Sequence, residues 1–247
     1  MKKIIFPLLG LLMLGSSGCY NKTPGDRFDN YLGLVAIVDY DFFLNQPVLK
    51  TPIGTLVAPQ LKGYFHDQIF TGDALFCNYI TINRDNQPSE EYTIIWDLDC
   101  VIVNKEPLQA TERGESESDD YTEPVEDLAT YDMIGNVAFM WLYHTAPGFQ
   151  LYNYEMTYDP DEKPMYDPDD GALITTVYVR AKENGKDNNS ITTFYRWCAF
   201  DFNNFIMAKK DSETKLKIKI KLKIGKEDGK DVYKDWNDEE PIKLKIE

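Results

Sequence analysis

Lys215-Leu216-Lys217-Ile218-Lys219-Ile220-Lys221-Leu222-Lys223-Ile224 alternates a cation with a branched or γ-branched aliphatic residue five times over. Period 2 is the repeat of a strand, whose successive side chains point to opposite faces. The pattern predicts one aliphatic face in a core and a row of lysines in water. At a sheet edge the lysines would also discourage pairing with another chain. Residues 225–229 read as a turn, and Ile242, Leu244 and Ile246 repeat the alternation at the C-terminus.

The same period recurs along the chain. Leu32 to Val38 reads as a buried strand, and Phe42-Phe43-Leu44 and Gly54 to Pro59 as short strands beside turn residues. Asp73 to Thr81 reads as another. From Tyr92 to Val103, Tyr92, Ile94, Trp96, Leu98, Cys100 and Ile102 alternate with Thr93, Ile95, Asp97, Asp99, Val101 and Val103, which predicts one long strand. Strands resume over Asn136 to Tyr143, Phe149 to Thr157, Leu173 to Ala181 and Thr193 to Phe202. In the last, Tyr195, Trp197, Ala199 and Asp201 share one side. No long amphipathic helix is visible. Many short strands at regular spacing predict an all-β chain, a sandwich or a pair of barrels.

Residues 105–127 differ. Glu112, Glu115, Glu117, Asp119, Asp120, Glu123, Glu126 and Asp127 crowd a stretch with few apolar residues. Mutual repulsion and low hydrophobicity predict a solvated linker between two β modules.

The N-terminus carries Lys2 and Lys3, an apolar run from Ile4 to Leu14, then Gly15-Ser16-Ser17-Gly18 and Cys19. This is the order of a secretory signal. The run is too short to span a bilayer, which needs about 20 residues. A cysteine directly after the small residues resembles a lipobox, so Cys19 is the expected lipid attachment point. Ser16 stands where that pattern usually has Leu, and simple secretion with an incidental cysteine is the other reading. Residues 19–29 read as a polar tether. Tyr20 follows the cysteine where an inner-membrane retention signal would carry Asp, and no acidic cluster follows. The expected location is the outer membrane, at its periplasmic face.

Loss of Lys2 and Lys3 with the signal takes the net charge from −15 to −17. Such a chain is repelled by nucleic acid and by anionic lipid, so the expected partners are a membrane reached through the anchor and a protein or glycan ligand. No cofactor is expected beyond the covalent lipid. Cys77, Cys100 and Cys198 remain. An odd count is no complete disulfide framework. All three read as small buried residues, with a Cys77–Cys100 bridge as the alternative in an oxidising compartment.

Several blocks, in the same order, resemble the NigD-like lipoproteins. They are Val48 to Pro59, Phe70-Thr71-Gly72-Asp73-Ala74-Leu75-Phe76-Cys77-Asn78-Tyr79-Ile80, and Phe194 to Phe205 with Ala199-Phe200-Asp201-Phe202, followed by the lysine-alternating strand. Pro52-Ile53-Gly54 and the acidic insert depart from that pattern. The resemblance implies an N-terminal OB-like barrel joined to a C-terminal β-sandwich. The expected organisation is signal peptide 1–18, tether 19–29, barrel 30–105, acidic linker 106–127 and sandwich 128–247. The resemblance brings no catalytic residues.

Two candidate sites stand out. Asp159, Asp161, Asp167, Asp169 and Asp170 lie in a Tyr-Asp-Pro-Asp repeat, and clustered carboxylates suit calcium. The repeat fails the EF-hand pattern, however, and its prolines also suit plain turns. Trp141, Tyr143, Tyr152, Tyr154 and Tyr158 form the second, as an aromatic surface for sugars, against a reading of all five as core. For catalysis there is no Gly-x-Ser-x-Gly, no His-Glu-x-x-His and no phosphate-binding glycine loop. The expectation is a non-enzymatic envelope protein with a binding or accessory role. A carbohydrate- or peptide-binding lipoprotein of an uptake system is the first alternative, and a glycosidase acting through paired carboxylates the second.

Overall fold

The alternating stretches before residue 104 become β1 (Phe28–Asp41), β2 (Gln46–Thr51), β3 (Gly54–Val57), β4 (Ala74–Asn83), β5 (Thr93–Ile94) and β6 (Asp97–Val103) of a computed structural model. The structure describes residues 27–87, 92–116, 118–145, 150–186, 195–209, 215–236 and 240–244. The expected signal peptide, Cys19 and the expected tether up to residue 26 lie outside the described residues. The chain divides into two compact units, one ending at Val103 and the other beginning at Asn104.

In the first unit β1 pairs antiparallel with β2 and β4, β2 with β3, and β4 with β6, while β3 runs parallel to β5. β5 and β6 act as one bent strand. The Ile95 amide donates to the Val57 carbonyl at 2.9 Å, prolonging the β3 pairing, and the Trp96 amide donates to Thr81 at 2.8 Å, beginning the β4 pairing. The strand thus leaves one edge of the sheet and joins the other, which closes the order β1-β2-β3-β5/β6-β4 into an OB-like barrel. At the bend the backbone groups are met by side chains. Gln87 accepts from the Ile94 amide at 2.6 Å and donates to its carbonyl at 3.1 Å, and Gln60 donates to the carbonyls of Ile95 and Trp96 at 2.8 and 3.0 Å. The segment after β3, opening with a 3₁₀ turn at Pro59–Leu61, inserts Leu61, Phe65 and Ile69 into a core with Ala36, Val38, Leu49, Leu75, Cys77 and Cys100.

Two expectations for this unit are corrected. The bend reverses the alternation, so Ile95 is buried while Trp96, placed on the apolar face by period 2, is 52% exposed. Phe42-Phe43-Leu44 is a hairpin tip rather than a strand, because the Asp41 carboxylate accepts from the amides of Phe43 and Leu44 and turns the chain.

The second unit holds β7 (Lys105–Ala110), β8 (Asp127–Ile134), β9 (Val137–Tyr143), β10 (Gln150–Tyr158), β11 (Met165–Tyr166), β12 (Leu173–Lys186), β13 (Tyr195–Asp201), a helix α1 (Asn203–Lys209), β14 (Leu216–Glu227), β15 (Lys230–Asp235) and β16 (Ile242–Lys243). Ten strands form one continuous sheet in the order β15-β14-β12-β10-β7-β13-β9-β8, with β11 on β12 and β16 on β14. The sheet folds on itself, so the expected sandwich is made from a single sheet. Leu128 and Met140 from one end share a core with Val177, Ile218 and Leu222 from the other. The two ends meet where the Trp236 Nε1 donates to the Leu128 carbonyl at 2.8 Å. The chain is all-β, as its periodicity predicts.

The aliphatic row of the lysine-alternating stretch is buried at Leu216, Ile218, Ile220 and Leu222. Ile224 is not, because a bulge between Lys223 and Gly225 shifts the pairing with β15 and turns it out. The lysines are not simply solvated either. Lys217 pairs with Asp167 at 2.7 Å, and Lys223 is 2% exposed.

The largest correction concerns residues 106–127. They are no linker. Lys105–Ala110 is β7, which runs parallel to both β10 and β13 near the middle of the sheet. The residues after it form a strap across the outer face of β10, β12 and β14. Arg180, 1% exposed, donates to the Gly114 carbonyl at 2.5 Å and to Thr157 Oγ1 at 2.7 Å, and pairs with Glu155 at 3.4 Å. Its Nε donates to the Tyr233 hydroxyl at 2.7 Å. Lys223 Nζ donates to the Tyr121 carbonyl at 2.6 Å and pairs with Asp231 at 2.7 Å. The amides of Glu123 and Val125 donate to Ala181 and Lys223. Val125 reaches the core. Gly114 is required here, since φ is +66° and an added Cβ would lie 2.5 Å from the Tyr178 ring. The sheet face beneath holds the strap by its backbone and one ring, with Arg180 and Lys223 bonded to the Gly114 and Tyr121 carbonyls and Lys182 over the Tyr121 ring, while Glu112, Glu115, Asp119 and Asp120 stay exposed to solvent.

Arg180→Met would leave Glu155 buried without its cation and the Gly114 carbonyl with one of its two donors, the Thr157 hydroxyl. We expect a loss of about 3 kcal/mol in urea unfolding of the second unit. Limited proteolysis should then cut within residues 111–126. Unchanged stability and an uncut strap would refute the fastening role.

Candidate functional site

On β9 and β13 every second residue enters the core: Met140 and Leu142 on one, Cys198 and Phe200 on the other. The intervening side chains therefore stand on the opposite face. Antiparallel register sets Tyr195 against Tyr143 and Trp197 against Trp141. The four rings form a ladder. Trp141 and Trp197 stack at 5.6 Å with planes 7° apart, Trp141 meets Tyr195 at 4.6 Å, and Tyr195 meets Tyr143 at 5.0 Å. All four are half-buried, whereas Val137 and Phe139 on the same face are buried. Cross-strand aromatic pairs of this kind stiffen a sheet.

Beyond Tyr143 the chain places His144 on the core side. This ring is 2% exposed and stacks on Tyr152 at 4.0 Å with planes 7° apart. Its Nδ1 lies 2.8 Å from the Pro124 carbonyl of the strap, which can only accept, so Nδ1 carries the proton. Nε2 then accepts from the Tyr154 hydroxyl at 2.9 Å. Burial pushes the imidazole down to about 4, against a smaller opposing effect of the Pro124 hydrogen bond. Burial likewise raises the Tyr154 hydroxyl well above its ordinary value.

The structure divides the five aromatics singled out in the sequence. Tyr154 and Tyr158 are core residues, and Tyr152 packs against the core and His144. Trp141 and Tyr143 belong to the ladder. Tyr195 and Trp197 complete it and were missed as site residues, although their alternation with Cys198 and Phe200 had placed them on one side.

The carboxylates read as calcium candidates are engaged otherwise. Asp167 and Asp170 share the Lys217 ammonium at 2.7 and 3.3 Å, which fills the place of a cation; Lys217 chiefly holds the Asp167 carboxyl below the usual carboxylate range, and the Ala172 amide, with Lys217 second among the lowering contacts, does so at Asp170. Asp159 and Asp167 accept the amides of Asp161 and Asp169, as turn residues do. Among the described residues no group of three or more His, Cys, Asp or Glu side chains is arranged to hold a metal. Glu155 is a buried carboxylate, raised by desolvation more than Ser116 and Arg180 lower it, but it is shut under the strap at 5% exposure. Cys198 is buried in the second core, and Cys77 and Cys100 in the first.

A closed OB-like barrel followed by one folded sheet defines an all-β, two-unit class of protein. Solved structures share it. An uncharacterised protein from Parabacteroides merdae is 15% identical, covers 84% of this chain and 96% of its own, and superposes with a TM-score of 0.60. A candidate lipoprotein from Bacteroides fragilis is 14% identical over 89% of this chain and 98% of its own, with a TM-score of 0.52. A NigD-like immunity protein from Bacteroides caccae matches at 12% identity over 86% and 93%, with a TM-score of 0.41. No family model matches the chain, and no curated protein matches it. Among the described residues no helix is long and apolar enough to cross a membrane.

His144 sets a pH dependence. Its unfolded value is 6.5 and its folded value about 4, so between these the unfolded chain binds the extra proton. Stability from this residue is complete above pH 6.5 and lost as pH falls towards 4, by about 3 kcal/mol in all. Urea midpoints of the second unit from pH 7.5 to 4 should show this slope, and His144→Gln should flatten it. A wild-type midpoint constant over that range would contradict the assignment.

Proposed function

We propose that this chain is a lipid-anchored, non-catalytic binding protein of a Gram-negative cell envelope, held through Cys19 at the periplasmic face of the outer membrane. The observation that carries the binding role is the ladder Trp141-Tyr143-Tyr195-Trp197, four rings gathered on the non-core face of two adjacent strands. Flat aromatic faces recognise the apolar faces of sugar rings, and the net charge, −15 for the whole chain and −17 without Lys2 and Lys3, disfavours nucleic acid. A carbohydrate is therefore the ligand class we favour. A glycosidase is disfavoured by the position of Glu155, whose carboxyl is bonded to Arg180 beneath the strap.

Two experiments test this reading. Glycan-array binding should be present in the wild type and weaken about tenfold or more in Trp141→Ala or Trp197→Ala, at the scale of one lost aromatic stacking contact. No glycan bound by the wild type, or binding equal in both variants, would remove the ladder from the function. Cell fractionation should find the wild type with the outer membrane and Cys19→Ala in the soluble periplasmic fraction. A variant that stays with the membrane would exclude the lipid anchor.

A further inference from the structure

β4 and β6 form the seam by which the bent strand closes the first barrel. In their register Cys77 stands directly opposite Cys100. Both side chains enter the barrel core, at 0 and 4% exposure. Directly opposed residues of an antiparallel pair have Cα atoms about 4.5–5.5 Å apart, inside the range of about 4.4–6.8 Å that a disulfide spans. Cys198 belongs to the other unit and to a different core, so no third thiol competes within the barrel.

We propose that Cys77 and Cys100 are a disulfide-forming pair that staples the closing strand of the barrel to β4. The oxidant is a disulfide donor, protein or small molecule. The thiolate of one cysteine attacks a donor sulfur, forms a mixed disulfide and expels one donor thiol. The thiolate of the other cysteine attacks the sulfur of the first, forms the Cys77–Cys100 bond and expels the second donor thiol. Two cysteine thiols are thereby oxidised and one donor disulfide reduced to two thiols. Exchange needs exposed thiolate, and Cys77 at 0% exposure is closed to it in the packed barrel. The bridge therefore forms while the chain folds, before β6 closes over Cys77.

The staple has a mechanical reason. On its other side the bent strand is held to β3 by a short parallel pairing, Leu56 to Thr93 and Val57 to Ile94, extended by the Ile95 amide. The β4 seam is the longer one, and a bond at Cys77–Cys100 fixes the strand at that seam.

The test uses the full chain, unfolded in urea and refolded with glutathione disulfide and glutathione. After alkylation in denaturant without reductant, peptide mass spectrometry should recover the peptides of Cys77 and Cys100 linked, two hydrogens lighter than the reduced pair, with Cys198 alkylated. Cys198→Ser should leave the linkage intact, and Cys77→Ser should leave Cys100 alkylated. The bridged barrel should favour the folded state over the reduced one by roughly 100-fold in the folded-to-unfolded ratio. Alkylation of both Cys77 and Cys100 in the refolded wild type, or a linkage that includes Cys198, would overturn the proposal. Neither outcome bears on glycan binding or on the lipid anchor.

Discussion

The guanidinium of Arg180 is the constraint around which the second unit is arranged. An arginine at 1% exposure has lost nearly all of its water, and it persists only because four groups replace that water: the Gly114 carbonyl, Thr157, Glu155 and the Tyr233 hydroxyl. Those groups come from the strap, from β10 and from the edge strand β15. Their convergence keeps the strap flat on the sheet and leaves the inner face free to form an uninterrupted core. Gly114 matters for the same reason, since no side chain fits between its backbone and the Tyr178 ring. A buried cation bonded in this way specifies one arrangement more than it adds stability, because its desolvation offsets much of what its partners contribute.

The strap also connects the fastening to the aromatic face. From Tyr121 it passes β12 and β14 and presents the Pro124 carbonyl to His144, the residue that follows Tyr143 of the ladder. The neutral imidazole then orders Tyr152 and Tyr154 through one stack and one hydrogen bond. The ladder thus rests on a sheet whose other face is packed and whose end is tied by hydrogen bonds. In the proposed binding role, such support would spare the ladder the cost of ordering itself on the ligand.

The first unit solves a different problem, closing a sheet whose last strand must reach two edges. The bend at Ile95–Trp96 does this, and Gln60 and Gln87 meet the backbone groups freed there. Period 2 identified these residues as a strand but carried one phase through the bend, which is why Trp96 was assigned to the wrong face. The signal for the bend lay in residues far from it in sequence, Gln60 among them, whose role depends on position in space. The same holds for the calcium candidates, where the cation that neutralises Asp167 and Asp170 is Lys217 of another strand.

What the sequence determined by itself is whatever depends on neighbours along the chain. Alternation sorted most strand residues to one face or the other and set the all-β class, and it already placed Tyr195 and Trp197 opposite Cys198 and Phe200. The lysine-alternating strand lies where it was read, up to the bulge at Ile224. Tertiary structure alone decided what depends on neighbours across the fold. Residues 111–126 look solvated by composition, since their acidic side chains repel one another in isolation. They are held down because Arg180 and Lys223 bond the Gly114 and Tyr121 carbonyls and Lys182 lies over the Tyr121 ring, and composition along a chain contains no record of the donors that will stand opposite its backbone.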